Sequence, residues 1–237
     1  LSNIFTFANQ LDLPIHMHLH ETCEEIASSI DDFGIRPIER LQKLNLLGPN
    51  LIAVHMVHLT NEEINLLKVH NCNVIHCPSS NMKLASGIAP IVDLVNQSIN
   101  VAIGTDGAAS NNRLDMFEEM RLTALLGKVT RGAQALPTHQ ILQMATLNGA
   151  IALGIEKQTG SLTVGKAADI TAIDFSDLSL TPCFNPLSHL IYVASREHVS
   201  HVWVNGRLLL NQGELVTLNE AELIECSQYW QNRITSK

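Results

Sequence analysis

Four short apolar runs, each closing on a polar and reactive residue, set the tightest limit on how this chain folds. They are LPIHMHL (13–19), LIAVHMV (51–57), NVIHC (73–77) and INVAIGTD (99–106). Near-continuous apolar runs of this length mark parallel strands buried on both faces, since a strand with one wet face alternates. Helical patterns lie between them. Residues 22–46 read as helix, loop and helix. TNEEINLLKVH begins on Thr60 with Glu63 three positions later, the signature of a capping box. Residues 87–97 give a further helix, and LDMFEEMRLTALLGK (114–128) and THQILQMATLNGAIALG (138–154) are amphipathic helices.

The strand ends are His18, His55, His76 and Asp106, spaced by 37, 21 and 30 residues, each about one βα unit. Catalytic side chains of a (β/α)8 barrel come from the C-terminal ends of several strands, whereas a doubly wound sheet gathers its ligands at one switch point. Four consecutive reactive strand ends favour the barrel. A whole barrel takes about 250 residues, but here the pattern changes after four strands. The expected α/β fold is therefore the C-terminal half of a (β/α)8 TIM-type barrel, strands five to eight, over residues 1–157. From there KAADITAID (166–174), VSHVWVN (199–205) and RLLLN (207–211) are β-like, and Asn205-Gly206 between two apolar runs signals a type I′ hairpin. Residues 158–237 are expected to contribute to a small β-sandwich domain and to end in a helix. Half a barrel leaves open edges at Leu13–Leu19 and Val101–Thr105. The opening LSNIFTFANQLDLP contains a short helix (2–11), lacks a basic leader and an initiator methionine, and reads as the interior of a longer protein.

The stretch HMHLHE (16–21) carries the chemistry. The two-residue period of a strand puts His16, His18 and His20 on one face, with Glu21 just beyond. Imidazole with a hard carboxylate suits Zn²⁺ or Fe²⁺. His18 and Asp106 are the candidate metal ligands. A catalytic metal usually takes three or more protein ligands, so the others are expected from outside this chain. His16 and His20 are read as lining or supporting residues, and His58 and His76 as supporting, substrate-facing or structural. His70, His139, His189, His198 and His201 are read as ordinary surface histidines, Asp169 as structural, and Asn111 and Asn112 as caps of the following helix. A net charge of −8 with no basic block argues against nucleic acid and anionic membranes as partners. No apolar run reaches the roughly 18 residues of a membrane span. Five scattered cysteines without a CxxC pair argue against a disulfide framework and for a reducing cytoplasm.

HLHET (18–22), VHMVH (54–58), IHCPSSNMKLASGIAP (75–90) and IGTDGAASNN (103–112) together resemble the amidohydrolase superfamily. Within it they resemble most the 5-methylthioadenosine/S-adenosylhomocysteine deaminases and the related chlorohydrolases. The tail GSLTVGKAADITAID is similar to the family's β-sandwich return. The resemblance implies metal-dependent hydrolytic deamination of an adenosine-type purine, with release of ammonia. It implies that His18 is the strand-five metal ligand and that Glu21 handles substrate protons. His55 is then the strand-six histidine that orients the attacking water, and Asp106 the strand-eight ligand and proton acceptor. Glu21, His55 and Asp106 are thereby both catalytic and substrate-binding. The cofactor implied is one divalent metal, zinc or iron; the partner is a small purine nucleoside, and the assembly a homo-oligomer. The family's upstream HxH ligand pair is missing. His16 and His18 have that spacing, but 88 residues between His18 and Asp106 leave room for about three βα units rather than seven. Two alternatives stay open. One is a related amidohydrolase: a triazine chlorohydrolase, or a guanine or cytosine-type deaminase. The other is an inactive fragment lacking the upstream ligands.

Overall fold

Alternating strands and helices organise the first part of the chain, in a computed structural model that describes residues 2–236. Helix α1 (Ser2–Leu11) precedes strand β1 (Ile15–Leu19), then α2 (Cys23–Phe33) and α3 (Pro37–Lys43) lead to β2 (Leu51–His55). Helix α4 (Asn61–Val69) leads to β3 (Asn73–His76), and α5 (Pro78–Lys83) and α6 (Ile91–Asn96) lead to β4 (Asn100–Ile103). Helices α7 (Met116–Arg131), α8 (Thr138–Met144) and α9 (Leu147–Ala152) follow. The rest holds β5 (Ile170–Ile173), α10 (Pro186–Tyr192), β6 (Val199–Val204), β7 (Arg207–Asn211), β8 (Glu214–Leu215) and α11 (Glu220–Thr235). Strands β1 to β4 form one parallel sheet in chain order, and β5 to β8 a second, antiparallel one. The chain is thus an α/β protein. None of its described helices is long and apolar enough to cross a membrane.

Register explains why the strands read as unbroken apolar runs. Met17, Ala53, Val74 and Val101 share one face and pack with Ile38, Leu41, Leu67, Leu94, Met120 and Ile141. Ile52, Val54 and Ala102 point to the other face and are buried too. Each fully buried Ile or Leu contributes roughly 1.5–3 kcal/mol. Thr60 and Glu63 make the expected capping box at α4. Asn205 and Gly206 have positive φ (49° and 75°), as the primed turn between β6 and β7 demands.

Several expectations need correction. Residues 138–154 form two helices, broken at Thr146 (φ −133°, ψ −92°). The break lets the Asn148 amide donate to the Val101 carbonyl (2.8 Å), while Asn100 Nδ2 donates to the Asn148 carbonyl (3.0 Å). That tether covers part of the β4 edge, so Val101 is buried rather than open; β1 keeps half-exposed positions along its length. The helix expected from residue 87 begins only at Ile91, because Gly87 sits at φ 127° and Pro90 holds the N-cap position. Helix α5 was not expected. Asn111 and Asn112 do not cap α7; Asp115 does, accepting from the Phe117 N–H.

Candidate active site

Four of the singled-out side chains meet at the C-terminal end of the parallel sheet. His18 leaves the end of β1, Glu21 the loop after it, His55 the end of β2, and Asp106 the loop after β4. His18 Nε2 lies 3.8 Å from Asp106 Oδ1, and His55 Nε2 lies 3.6 Å from Glu21 Oε2. The His18 and His55 rings stand perpendicular with centroids 4.4 Å apart. A flat four-stranded sheet would hold its edge strands about 14 Å apart, three spacings of roughly 4.8 Å. The His18 and Asp106 side chains, from β1 and from the loop after β4, span that separation to within 3.8 Å.

Backbone geometry at the strand ends aims these groups. His20, His55, Met56 and Asp106 all have left-handed φ (53°, 76°, 50° and 60°). Such values are uncommon outside glycine, and histidine and aspartate tolerate them better than most residues. Each costs about 1–3 kcal/mol and persists where surrounding contacts over-determine it. Those contacts are visible. The Glu25 carboxylate accepts from the N–H groups of His20 (2.9 Å) and Glu21 (2.8 Å) and fixes the loop carrying Glu21. Glu25 is in turn placed by α2, whose N-cap Thr22 accepts from the Glu25 N–H. Behind it, Arg36 forks onto Glu63 (2.7 and 3.0 Å) and donates to the His58 carbonyl (2.6 Å).

The hydrogen-bond partners sort the candidate histidines. His20 is fully buried: Nδ1 donates to the His58 carbonyl and Nε2 accepts from the Ile38 N–H. Burial, partly offset by the His58 carbonyl and Glu63, holds its pKa below the usual histidine value. It supports the loop and takes no part in the cluster. His58 Nε2 donates to the Ser86 carbonyl (2.8 Å). His76 is buried with Nδ1 unpartnered, and burial, with His55 nearby, lowers its pKa to about 3, so it stays neutral. His16 lies exposed on the same strand face as His18.

His55 Nδ1 donates to Asn81 Oδ1 (2.8 Å), which turns the Nε2 lone pair towards Glu21. That Nε2 is buried and has no hydrogen-bond partner. Asn81 Nδ2 is also buried and unpaired, a state that costs about 1–3 kcal/mol. Glu21 Oε1 accepts from Ser86 Oγ (3.3 Å). Asp106 Oδ2 accepts from Ser80 Oγ (2.6 Å) and Ser110 Oγ (2.7 Å), leaving Oδ1 towards His18. Burial pushes the Asp106 pKa up, but the two hydroxyls, the Gly107 N–H and His18 outweigh it and bring the carboxyl to about 2. Sequence reasoning missed Ser80, Asn81, Ser86, Ser110 and Glu25 as parts of the site. They are polar residues without periodicity; Ser80, Asn81, Ser86 and Ser110 lie inside the stretches that carry the family resemblance, but nothing in those stretches assigns them a role.

One ligand atom each from His18, Glu21 and His55 lies within 4.8 Å of the others. This grouping differs from the expected ligand pair, since Asp106 joins it only through His18. A carboxylate and an unpartnered imidazole nitrogen, both acceptors, face each other without a donor between them, an arrangement that a cation stabilises. The residues present therefore fit a divalent metal, though with fewer protein ligands than a catalytic site usually has. A cavity of about 570 Å³ lies at the opposite end of the strands, against Pro14, Asn50, Asn73 and Asn100. There Asn100 donates to Asn73, and Asn73 to the Pro49 carbonyl, so those amides serve the fold.

Residues 1–209 match the model of the amidohydrolase family. The chain belongs to that family. A 5-methylthioadenosine/S-adenosylhomocysteine deaminase of Teredinibacter turnerae is 48% identical over 238 residues, covering 100% of this chain and 54% of that protein. A crystal structure of an adenosine deaminase from Xanthomonas campestris with bound zinc superposes with a TM-score of 0.98 at 46% identity, over 100% of this chain and 54% of the other. A zinc complex of an atrazine chlorohydrolase from Arthrobacter aurescens gives 0.91 at 24% identity, over 97% and 52%. The latter likeness is one of fold. The chain spans about half the length of the curated relatives it matches. In this amidohydrolase chain His18, Glu21, His55 and Asp106 lie together at the C-terminal end of the parallel sheet.

Proposed function

We propose that this chain is the C-terminal half of a metal-dependent deaminase acting on adenosine-type purines of the 5-methylthioadenosine/S-adenosylhomocysteine class. Residues 1–157 then form strands five to eight of a (β/α)8 barrel, and residues 158–237 contribute to a β-sandwich domain and a terminal helix. The approach of His18 to Asp106 across a four-stranded parallel sheet supports the half-barrel. Relatives at 44–48% identity named as adenosine-type deaminases support the substrate class over a triazine, guanine or cytosine. We take the whole enzyme to be a homo-oligomer, and the five unpaired cysteines support a reducing, cytoplasmic setting.

The observation that carries the reading is the convergence of His18, Glu21, His55 and Asp106, with the buried His55 Nε2 left unpartnered. His18 and Asp106 would hold the metal, with zinc favoured over iron. Bound there, it would supply the Lewis acidity that makes water nucleophilic near neutral pH. The side chains do the rest. His55 Nε2 orients the attacking water by accepting one of its hydrogens. Asp106 Oδ1 takes one water proton and passes it to the departing amine. Glu21 delivers a proton to the ring nitrogen beside the attacked carbon and is restored by the second water proton, so purine and water become the oxo-purine and ammonia. Proton shuttling of this kind contributes about 10²–10⁴-fold.

The test uses the protein at its natural length, with ammonia release from S-adenosylhomocysteine measured beside dechlorination of atrazine. Turnover of the nucleoside and none of the triazine is expected. Glu21→Gln should keep the metal and lose about 10²–10⁴ in kcat, while His18→Ala should lose the metal. Near-normal turnover by Glu21→Gln would remove its proton role, and preference for atrazine would move the chain to the chlorohydrolases.

A further inference from the structure

Helix α5 spends two consecutive side chains on two different groups of the site. Ser80 Oγ donates to Asp106 Oδ2 (2.6 Å), and Asn81 Oδ1 accepts from His55 Nδ1 (2.8 Å). Both residues are buried, at 0% and 1% exposure. The neighbouring Ser79 N–H donates to Glu119 Oε2 (3.1 Å) on α7, and Glu119 Oε1 accepts from Asn111 (2.7 Å). Asn111 also donates to the Thr105 carbonyl (2.9 Å), beside Asp106. At the far end of the helix Lys83 Nζ donates to the Ala109 carbonyl (2.7 Å) and to Asn112 Oδ1 (2.6 Å). The helix and the 105–112 loop are therefore clamped at three places along the length of α5.

We propose that α5 is the alignment element of this site, with Ser80 and Asn81 as positioning residues that set, respectively, which oxygen of Asp106 and which nitrogen of His55 face the reaction. The inference rests on the metal-dependent reading above. With Oδ2 held by Ser80 and Ser110, only Oδ1 is directed at His18. With Nδ1–H held by Asn81, the ring is locked in the tautomer whose Nε2 lone pair points into the cluster. Outer partners that orient a ligand or fix a tautomer change metal affinity or activity by about 10–100-fold when removed. The unpaired Asn81 Nδ2 fits this assignment, because an apolar residue would serve a merely structural position better. Ser110 shares the Asp106 contact but lies on the loop itself, so α5 is what references that loop to His55.

The experiment uses the protein at its natural length. Zinc affinity is read by competition with a chromophoric chelator, and the His55 tautomer by ring ¹⁵N shifts of the zinc-loaded protein. Ser80→Ala removes one hydroxyl and is expected to weaken zinc binding about 10–100-fold, with the melting temperature of the metal-free protein unchanged. Asn81→Leu is expected to keep zinc affinity, lower kcat at least tenfold with KM unchanged, and give a mixture of His55 tautomers. Asn81→Asp, nearly isosteric, restores the acceptor and should restore the single Nδ1–H form, which a structural defect would not do. Parent-like zinc affinity in Ser80→Ala overturns the inference, as does an unchanged single tautomer in Asn81→Leu. A parent protein that takes up no zinc overturns the metal reading and this inference together; zinc uptake by the parent with both variants unchanged overturns this inference alone.

Discussion

Replacing Arg36 with alanine is expected to destabilise the protein by about 2–4 kcal/mol. The Arg36 guanidinium makes two bonds to the Glu63 carboxylate and one to the His58 carbonyl. The Glu63 side chain is only 6% exposed, so removing its cation leaves a negative charge out of water. Breaking a buried pair from one side costs about 3–5 kcal/mol. Two features lower that figure here. Arg36 is itself 29% exposed, and Glu63 keeps the Thr60 N–H (2.8 Å) as a donor. For 150–250 residues 1 kcal/mol moves Tm by about 2–4 °C, and less for a longer protein, so Tm of the natural-length protein should fall by several degrees. The assay is thermal unfolding followed by circular dichroism at neutral pH, with the natural-length protein as reference. The double variant Arg36→Met, Glu63→Gln should recover most of the loss, since both charges leave together and the glutamine amide can still accept from the Thr60 N–H. A single variant as stable as the parent would refute the reasoning. So would a double variant that loses the sum of the two single effects.

Three further outcomes are expected. Residues 1–237 alone should show no deaminase activity and no tightly bound stoichiometric metal, because on the proposed reading His18 and Asp106 would be two of about four ligands; elemental analysis with an S-adenosylhomocysteine assay checks this, and a metal-loaded active fragment would refute it. The same fragment should self-associate, visible by light scattering, through the half-exposed β1 edge and the exposed Leu223, Ile224 and Trp230 of α11. Burial raises the Glu119 pKa against the opposing bonds from Ser79 and Asn111. A carboxyl raised on folding stabilises at low pH and loses that contribution as pH rises through its folded pKa. Glu119→Gln should therefore gain stability relative to the parent between pH 4 and pH 8, and a relative loss over that range in paired thermal melts would contradict this.

What was legible in the sequence is what periodicity and pairing rules encode. Strand identity came from apolar runs, the α4 start from Thr60 and Glu63, and the hairpin from Asn205-Gly206. The ends of β1, β2 and β4 were legible because a reactive residue closing an apolar run is rare. What stayed hidden depends on contacts between distant segments. CPSSNMK carries no periodic signal, yet it is helical from Pro78, a residue suited to a first helical turn, and its Ser80 and Asn81 bond partners 26 residues away in each direction. Helix 138–154 looks unbroken until Asn148 is seen tethered to the β4 edge. Asn111 resembles a cap in sequence, but its amide is used by Glu119 and the Thr105 carbonyl, and Asp115 caps instead.

The site also departs from the rule that made it findable. Strict alternation along β2 pairs His55 with Leu19 and would turn it towards the helix-side core that holds Ala53. The left-handed residues His55 and Met56 end the strand at that point. Met56 then enters the core at 0% exposure, and the His55 ring lies against His18. Asp106 likewise lies three residues past the end of β4, in the left-handed region, where its backbone no longer follows the sheet. The parallel sheet sets these segments side by side, while the left-handed residues at its rim supply direction. A strain of about 1–3 kcal/mol at each position persists because bonds from Glu25, Asn81, Ser80 and Ser110 hold these residues. The polar residues that sequence reasoning passed over are thus the ones that keep the recognised ones in place.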